Sequence, residues 1–471
     1  MKTNPASSPF QMGAVLLAIS IITFLGILSE TALNIVYSSL MDEFEVSAST
    51  VQWLTTGYFL TLAALIPLSP LFVKQYPSKK LFQTAALSCL AGTLLCALST
   101  NFMLLLLGRI IQAIGTSIAL PLMINIILEK IPVYKRGRIM GMVGLITSFA
   151  PVLGPIFGGA VSEWLNWHWI FFFMLPLLVI SFMLGSKYIM DIHQPTKLPL
   201  DYSSILLSTL AFTGIIYAIS RSTELGWYHG EVLGCLSMGI ISLAAFIKRQ
   251  LSLDQPLLQV HIFTYPLFTT GVGIVMLSMM IVLAAGFILP LYLQKALGYS
   301  SFTAALAMLP GALTNGIMAP VSGRILDKRG PFFLLLVGFT LVSITVYIFS
   351  VFSCPLYMVL LLYAVFMFGA SMLAMPAQIH ALNQVAKPYN ADATAIINTL
   401  QQLSGALGTA LASSIFTATT GALLAAGTNS SAAFQAQAVT LGTQKTFLFL
   451  LFLSLLGLYL AVTTRKSTGQ N

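Results

Sequence analysis

The chain has 471 residues, of which 57 % are hydrophobic and 7 % charged, and its mean hydropathy is +0.91. Soluble domains carry about 25 % charged residues, so a water-soluble enzyme or scaffold is excluded as a class. The formal net charge of +9 invites a polyanion-binding reading, but the basic residues are scattered along the chain rather than gathered in a patch.

Taken in order, apolar segments fall near 13–38, 50–73, 81–99, 102–128, 139–162, 167–187, 202–221, 231–248, 268–293, 302–326, 332–352, 356–381, 392–419 and 445–464. Each is long enough to cross a hydrocarbon core of about 30 Å as a helix. None alternates with period two, so a transmembrane barrel is excluded. The first run is too long for a cleavable leader, carries Glu30 and lacks a small-residue cleavage site, so it is read as a span. Fourteen spans put both termini on one side. Loops on that side hold eighteen Lys and Arg against three opposite (Arg221, Lys295, Lys445), so both termini are expected to be cytoplasmic. The stretches 249–265 and 421–443 are read as the longer loops, inside and outside respectively.

Glu30 is the carboxylate that stands well inside a span. An acid there costs about 2.5–3.5 kcal/mol on insertion scales, so a helix keeps one mainly where something uses it. Arg109 lies inside the fourth segment. Both charges sit about eight residues, or about 12 Å at 1.5 Å per residue, inside the external boundary. The spacing therefore predicts that antiparallel helices bring Glu30 and Arg109 to one depth, either as a static ion pair or as a titrating site.

Further along, Ala150-Pro151-Val152-Leu153-Gly154-Pro155-Ile156-Phe157-Gly158-Gly159 packs prolines and glycines into one helix, predicting close helix packing or a kink. Gly323-Arg324-Ile325-Leu326-Asp327-Lys328-Arg329-Gly330 predicts a tight cytoplasmic turn in which Asp327 pairs with basic groups or caps a neighbouring helix. Pro67-Leu68-Ser69-Pro70 echoes Pro320-Val321-Ser322-Gly323 at an offset of 253 residues, which sets Lys74 against Asp327. Two related bundles with an inserted pair of spans is the pattern of transporters built from repeats. Asn34, Gln52, Trp53, Tyr58, Gln112, Tyr292, Gln294, Asn398 and Gln402 are candidate lining for a substrate cavity, with interfacial anchoring or interhelical bonding as the plainer reading. The four cysteines have no metal-ligand spacing and read as packing residues; no metal is expected. No phosphate loop or hydrolase motif occurs, so neither catalytic residues nor a nucleotide cofactor are expected.

Arg109-Ile110-Ile111-Gln112-Ala113-Ile114-Gly115 resembles the RxxQGxG motif of the major facilitator superfamily, and Pro151 to Gly159 resembles the GPxxGG core of its exporters' antiporter motif. With Trp167-His168-Trp169, Pro290-Leu291-Tyr292-Leu293-Gln294 and Asn398-Thr399-Leu400-Gln401-Gln402, the chain is similar to the fourteen-helix drug:proton antiporters of the QacA and EmrB type. The resemblance implies an all-α integral membrane fold: a six-helix bundle at 1–190, two inserted helices at 191–265 and a second six-helix bundle at 266–471. It implies alternating access, proton-gradient energy without a cofactor, and proton coupling at Glu30 tuned by Arg109. Expected partners are hydrophobic or cationic drugs, protons and the cell-membrane bilayer, with no nucleic acid, and the chain is expected to be a monomer. Two departures stand out. Aligned on Asn34, Ser29 occupies the family's helix-1 Asp position and Glu30 falls one residue later, about 100° around the helix. Lys74 stands where the first cytoplasmic motif places an Asp. A dedicated exporter of one metabolite or peptide, and a membrane sensor, are the alternatives.

Overall fold

The computed structural model describes residues 9–46, 48–191, 201–299, 301–426 and 432–464, and among these there is no strand. The long helices run in chain order as α1 (Pro9–Ile35), α2 (Trp53–Gln75), α3 (Ser78–Ala97), α4 (Phe102–Lys130), α5 (Val133–Trp164), α6 (His168–Tyr188) and α7 (Tyr202–Leu225). They continue as α8 (Gly230–Ser252), α9 (Pro266–Lys295), α10 (Ser301–Arg329), α11 (Pro331–Val351), α12 (Leu356–Asn383), α13 (Asn390–Ala426) and α14 (Ala432–Thr463). Among the described residues, twelve are long and apolar enough to cross a membrane. The other two, α5 and α10, have 32 and 29 residues, with Lys328 and Arg329 in the last turn of α10.

The stretch 421–443, expected as a loop, is mostly helix: α13 runs to Ala426 and α14 begins at Ala432. Its alanines and glutamines are polar enough on average to look like a loop yet are strong helix formers. Conversely, α2 is broken by a 3-10 turn at Ile66–Leu68, where Pro67 removes a backbone donor.

Packing follows the internal repeat. In the first half α1 lies on α4, α5 and α6, and α3 on α4 and α6; in the second, α9 lies on α12, α13 and α14, and α11 on α12 and α14. The halves meet along α5 against α10 and along α2 and α4 against α13. Lipid is as apolar as leucine, so close backbone approach rather than water exclusion holds such helices together. Gly158 supplies one approach: a Cβ there would sit 2.6 Å from the Ala32 carbonyl oxygen of α1. Gly323 supplies another, 2.0 Å from the Gly137 carbonyl oxygen across the α5–α10 seam.

Helices α7 and α8 form a hairpin outside this repeat. At one end Asp201 caps α7 through the Ser204 amide and takes both Arg249 Nε and Arg249 Nη2 at 2.9 Å. That guanidinium fork holds the Asp201 carboxyl well below the usual carboxylate range.

Candidate functional site: a buried arginine beside an intramembrane acid

Arg109 is the centre of the site. Its side chain is fully buried on α4, where an uncompensated guanidinium would be very costly. Arg109 Nη1 donates to Ser29 Oγ on α1 at 2.9 Å and to Gln112 Oε1 one turn along α4 at 2.7 Å. Gln112 Nε2 is held in turn by Thr93 Oγ1 on α3 at 2.7 Å. The guanidinium also lies 4.3 Å from the ring centroid of Tyr58 on α2, whose hydroxyl donates to Thr116 Oγ1 at 3.0 Å. Four helices thus fix one cation through hydrogen bonds and a cation–π contact.

Of the two arrangements expected for Glu30 and Arg109, the static ion pair is not what the side chains make. Glu30 is half-buried and within electrostatic reach of Arg109, but no ion pair joins them. The reason is the one-residue offset. Ser29, at the position where the family Asp aligns, is the residue that faces Arg109. Arg109 Nε and Nη2 are buried without an acceptor, so the guanidinium keeps two donors free for an oxygen that approaches.

Behind Glu30, the antiporter-like motif positions α1. A Cβ on Gly154 would sit 1.8 Å from Thr31 Oγ1, so α5 lies against the residues that follow Glu30. Gly159 lies in the same helix. The side chains of Pro151, Pro155 and Asn34 lie outside the described residues.

The remaining candidate cavity residues disperse. Tyr58 and Gln112 join the Arg109 network. Trp53 is 42 % exposed and sets its ring 6.1 Å from Tyr217 of α7, marking the seam with the inserted hairpin; Gln52 beside it is exposed. Tyr292 is buried within the second half and donates to the Cys354 carbonyl at 3.0 Å, the interhelical bonding given as the plainer reading, tying α9 to the α11–α12 connection. Gln294 is half-buried near the end of α9. Asn398 on α13 accepts from Gln378 Nε2 of α12 at 3.4 Å, leaving its own Nδ2 unpaired, and Gln402 lies half-buried one turn on. A cavity of about 200 Å³ opens elsewhere, at the Lys/Arg-rich end of the molecule, where it is lined by Lys74, Asn125, Glu129, Lys387 and Asn390.

That basic end is closed by contacts between the halves. Asp327, at the end of α10, accepts the Gly137 and Arg138 amides near the start of α5, both at 2.8 Å. Its repeat counterpart Lys74, at the end of α2, reaches the start of α13 and bonds Asp392 Oδ2 at 2.6 Å. A lysine facing a helix N-terminus meets the positive end of the dipole, and Asp392, fully buried in the first turn of α13, neutralises both. Asp392 Oδ1 also accepts the Gln259 amide of the linker at 3.2 Å. Arg136 Nη1 adds a bond to Asn383 Oδ1 at 2.5 Å. Gly330 closes the α10 turn at a φ of 75°, open to glycine, and Arg329 stacks over Phe333 at 5.7 Å. Sequence reasoning placed Ser29 at the family's Asp position without giving it a role, and missed Asp392, Arg136 and Asn383; the 253-residue repeat was the signal that could have located Asp392.

The family model described as Major Facilitator Superfamily matches residues 19–409. The chain is 41 % identical over 461 residues to the lincomycin resistance protein LmrB of Bacillus subtilis, covering 97 % of this chain and 96 % of that one. It is also 41 % identical to LmrB of Listeria monocytogenes, covering 94 % and 95 %. The fold resembles the crystal structure of the human organic anion transporter MFSD10 at a TM-score of 0.65 and 12 % identity, covering 96 % of this chain and all of that one. Fold and relatives place it among multi-pass cell-membrane transporters rather than enzymes. The chain belongs to the major facilitator superfamily.

Proposed function

We propose that the chain is a proton-coupled exporter of amphipathic or cationic drugs, working by alternating access. In this reading Glu30 carries the proton, Arg109 tunes it, and the proton gradient supplies the energy without a cofactor. The observation that carries the reading is the buried Arg109 with two unpaired donors beside an intramembrane acid. When Glu30 is ionised, the free donors stabilise it; when it is protonated, Ser29, Gln112 and the Tyr58 ring still hold the arginine in place. Substrate cation and proton then compete for one carboxylate.

The reading includes fourteen spans, with α5 and α10 crossing alongside the twelve apolar helices. The basic end is cytoplasmic, as are both termini, and the bundles comprise 1–190 and 266–471, with 191–265 inserted. The structure, closed at that end, then corresponds to a state shut towards the cytoplasm. The names of the relatives support drug export, and a lincosamide is the first substrate to try. In everted membrane vesicles energised by respiration, the protein should accumulate an ethidium-type dye, and Glu30→Gln should abolish that accumulation without lowering the amount of folded protein. Full accumulation by Glu30→Gln would overturn the coupling role.

A further inference from the structure

The inserted hairpin bridges the two halves at one place. Helix α2 meets α13 through Ile66–Leu68 and Ser69–Gln75, near the basic end, where Lys74 bonds Asp392. Over Trp53–Leu65, towards the opposite end, α7 packs on α2 and also on α13. The contact is one apolar cluster: Leu60 and Ala63 from α2, Phe212, Ile216 and Ile219 from α7, and Leu403 from α13. At the far end Trp227 Nε1, in the α7–α8 turn, donates to Ser414 Oγ of α13 at 2.6 Å, while Trp53 of α2 lies against Tyr217 of α7.

The hairpin is internally tied at both ends. Asp201 holds Arg249, and Gln250 Nε2 donates to Ser204 Oγ at 2.6 Å, at one end. Tyr217 donates to Glu231 Oε1 at 2.7 Å, beside Arg221, at the other. Its second helix, α8, turns exposed Leu233, Ile240 and Ile241 away from the bundles, the surface expected against acyl chains.

We propose that the α7–α8 hairpin is a lipid-side seal. With the basic end closed, α7 fills the gap between the outer portions of α2 and α13. An amphipathic substrate released from the central space therefore passes to external water and not back into the adjoining leaflet. This rests on the export reading for its consequence, but the seal itself is a property of the fold. A drug that partitions into lipid makes such a seal useful, because lateral escape would return it to the membrane from which it came.

The seal is tested with Phe212→Ala/Ile216→Ala/Ile219→Ala, and with Trp227→Ala as a milder variant that removes one side chain from the rim of the cluster and keeps Phe212, Ile216 and Ile219. A bimane fluorophore on Leu60→Cys, with Cys235→Ser to remove the half-buried native thiol, reports the gap in liposomes containing brominated-chain phospholipid. Quenching should rise several-fold in the triple variant and to a lesser degree in Trp227→Ala; unchanged quenching in both overturns the seal. In dye transport, efflux of a lipid-partitioning cation should fall several-fold while that of a hydrophilic quaternary cation is retained. An equal fall for both cations would make α7 a general structural support and overturn the sealing role. If the unmodified protein moves neither cation, the export reading fails, and the quenching result still decides the seal.

Discussion

Arg109 Nη1 rests 2.9 Å from Ser29 Oγ, and the carboxylate that should balance it is attached one residue further along the same helix. A hydroxyl thus stands at the position facing the guanidinium, and the acid stands about 100° around α1. The arrangement separates two jobs that one residue could do: Ser29 holds Arg109 Nη1 and leaves Glu30 outside the guanidinium's hydrogen bonds, as the proposed proton exchange requires.

That separation predicts a transplant. In Glu30→Gln/Ser29→Asp the carboxylate moves to the face that already touches Arg109, so drug-dependent proton release lost in Glu30→Gln should return. Ser29→Ala alone removes one charge-assisted hydrogen bond, worth about 1.5–3 kcal/mol, and should lower the unfolding midpoint of the purified protein. A transplant that stays silent would show that the carboxylate must approach from the position of Glu30.

Lys74 and Asp392 predict a strong coupling. Removing one partner leaves a buried charge and costs about 3–5 kcal/mol, so Lys74→Ala should be severely destabilising because Asp392 stays buried with backbone amides and no cation. Lys74→Ala/Asp392→Ala should recover much of that loss. A double-mutant cycle on thermal unfolding in detergent measures it; additive effects would mean that the pair is incidental.

The α5–α10 seam predicts a conformational trap. Gly323→Ala cannot be accommodated with the Gly137 carbonyl 2.0 Å from the new Cβ, so the basic end should no longer close. A cysteine at Ala319, buried in the seam, should then react with a membrane-impermeant maleimide supplied at the basic end, cytoplasmic in the proposed orientation, at least several times faster than in the parent. Equal rates would mean that the seam separates by another route.

Gly158 predicts a link between motif and site. Gly158→Ala overpacks α5 against α1 at Ala32, at a cost of about 1–3 kcal/mol. It should lower both the unfolding midpoint and drug-dependent proton release, because the displaced turn of α1 carries Glu30. Gly286→Ala, with nothing within 4 Å of the added carbon, is the matched control and should change neither.

The helices were legible because a bilayer permits few solutions: apolar length and the distribution of Lys and Arg identify spans without knowledge of packing. The stretch 421–443 misled because alanine-rich sequence is weakly hydrophobic yet strongly helical. Depth along a helix was legible too, and it brought Glu30 and Arg109 to one level. Azimuth was legible only through the resemblance, which put Ser29 at the family's Asp position; in the fold it depends on how α1 rotates against α4 and α5, which the Thr31–Gly154 and Ala32–Gly158 contacts set. The Tyr292 bond has the same origin: tyrosine's position on α9 was readable, but the partner of its hydroxyl follows the fold of the α11–α12 connection. Lys74 looked like a lost gate residue, and its compensation lies 318 residues away at Asp392, beyond the reach of any local pattern.

The central claim is that Glu30 holds the exchangeable proton, and drug-induced proton release from the detergent-purified protein tests it most directly. In weakly buffered solution containing a pH indicator, a lincosamide or a cationic dye should release protons from the unmodified protein. From Glu30→Gln it should release none, although that variant should still bind the drug by fluorescence titration. Proton release of the same size from Glu30→Gln would contradict the account.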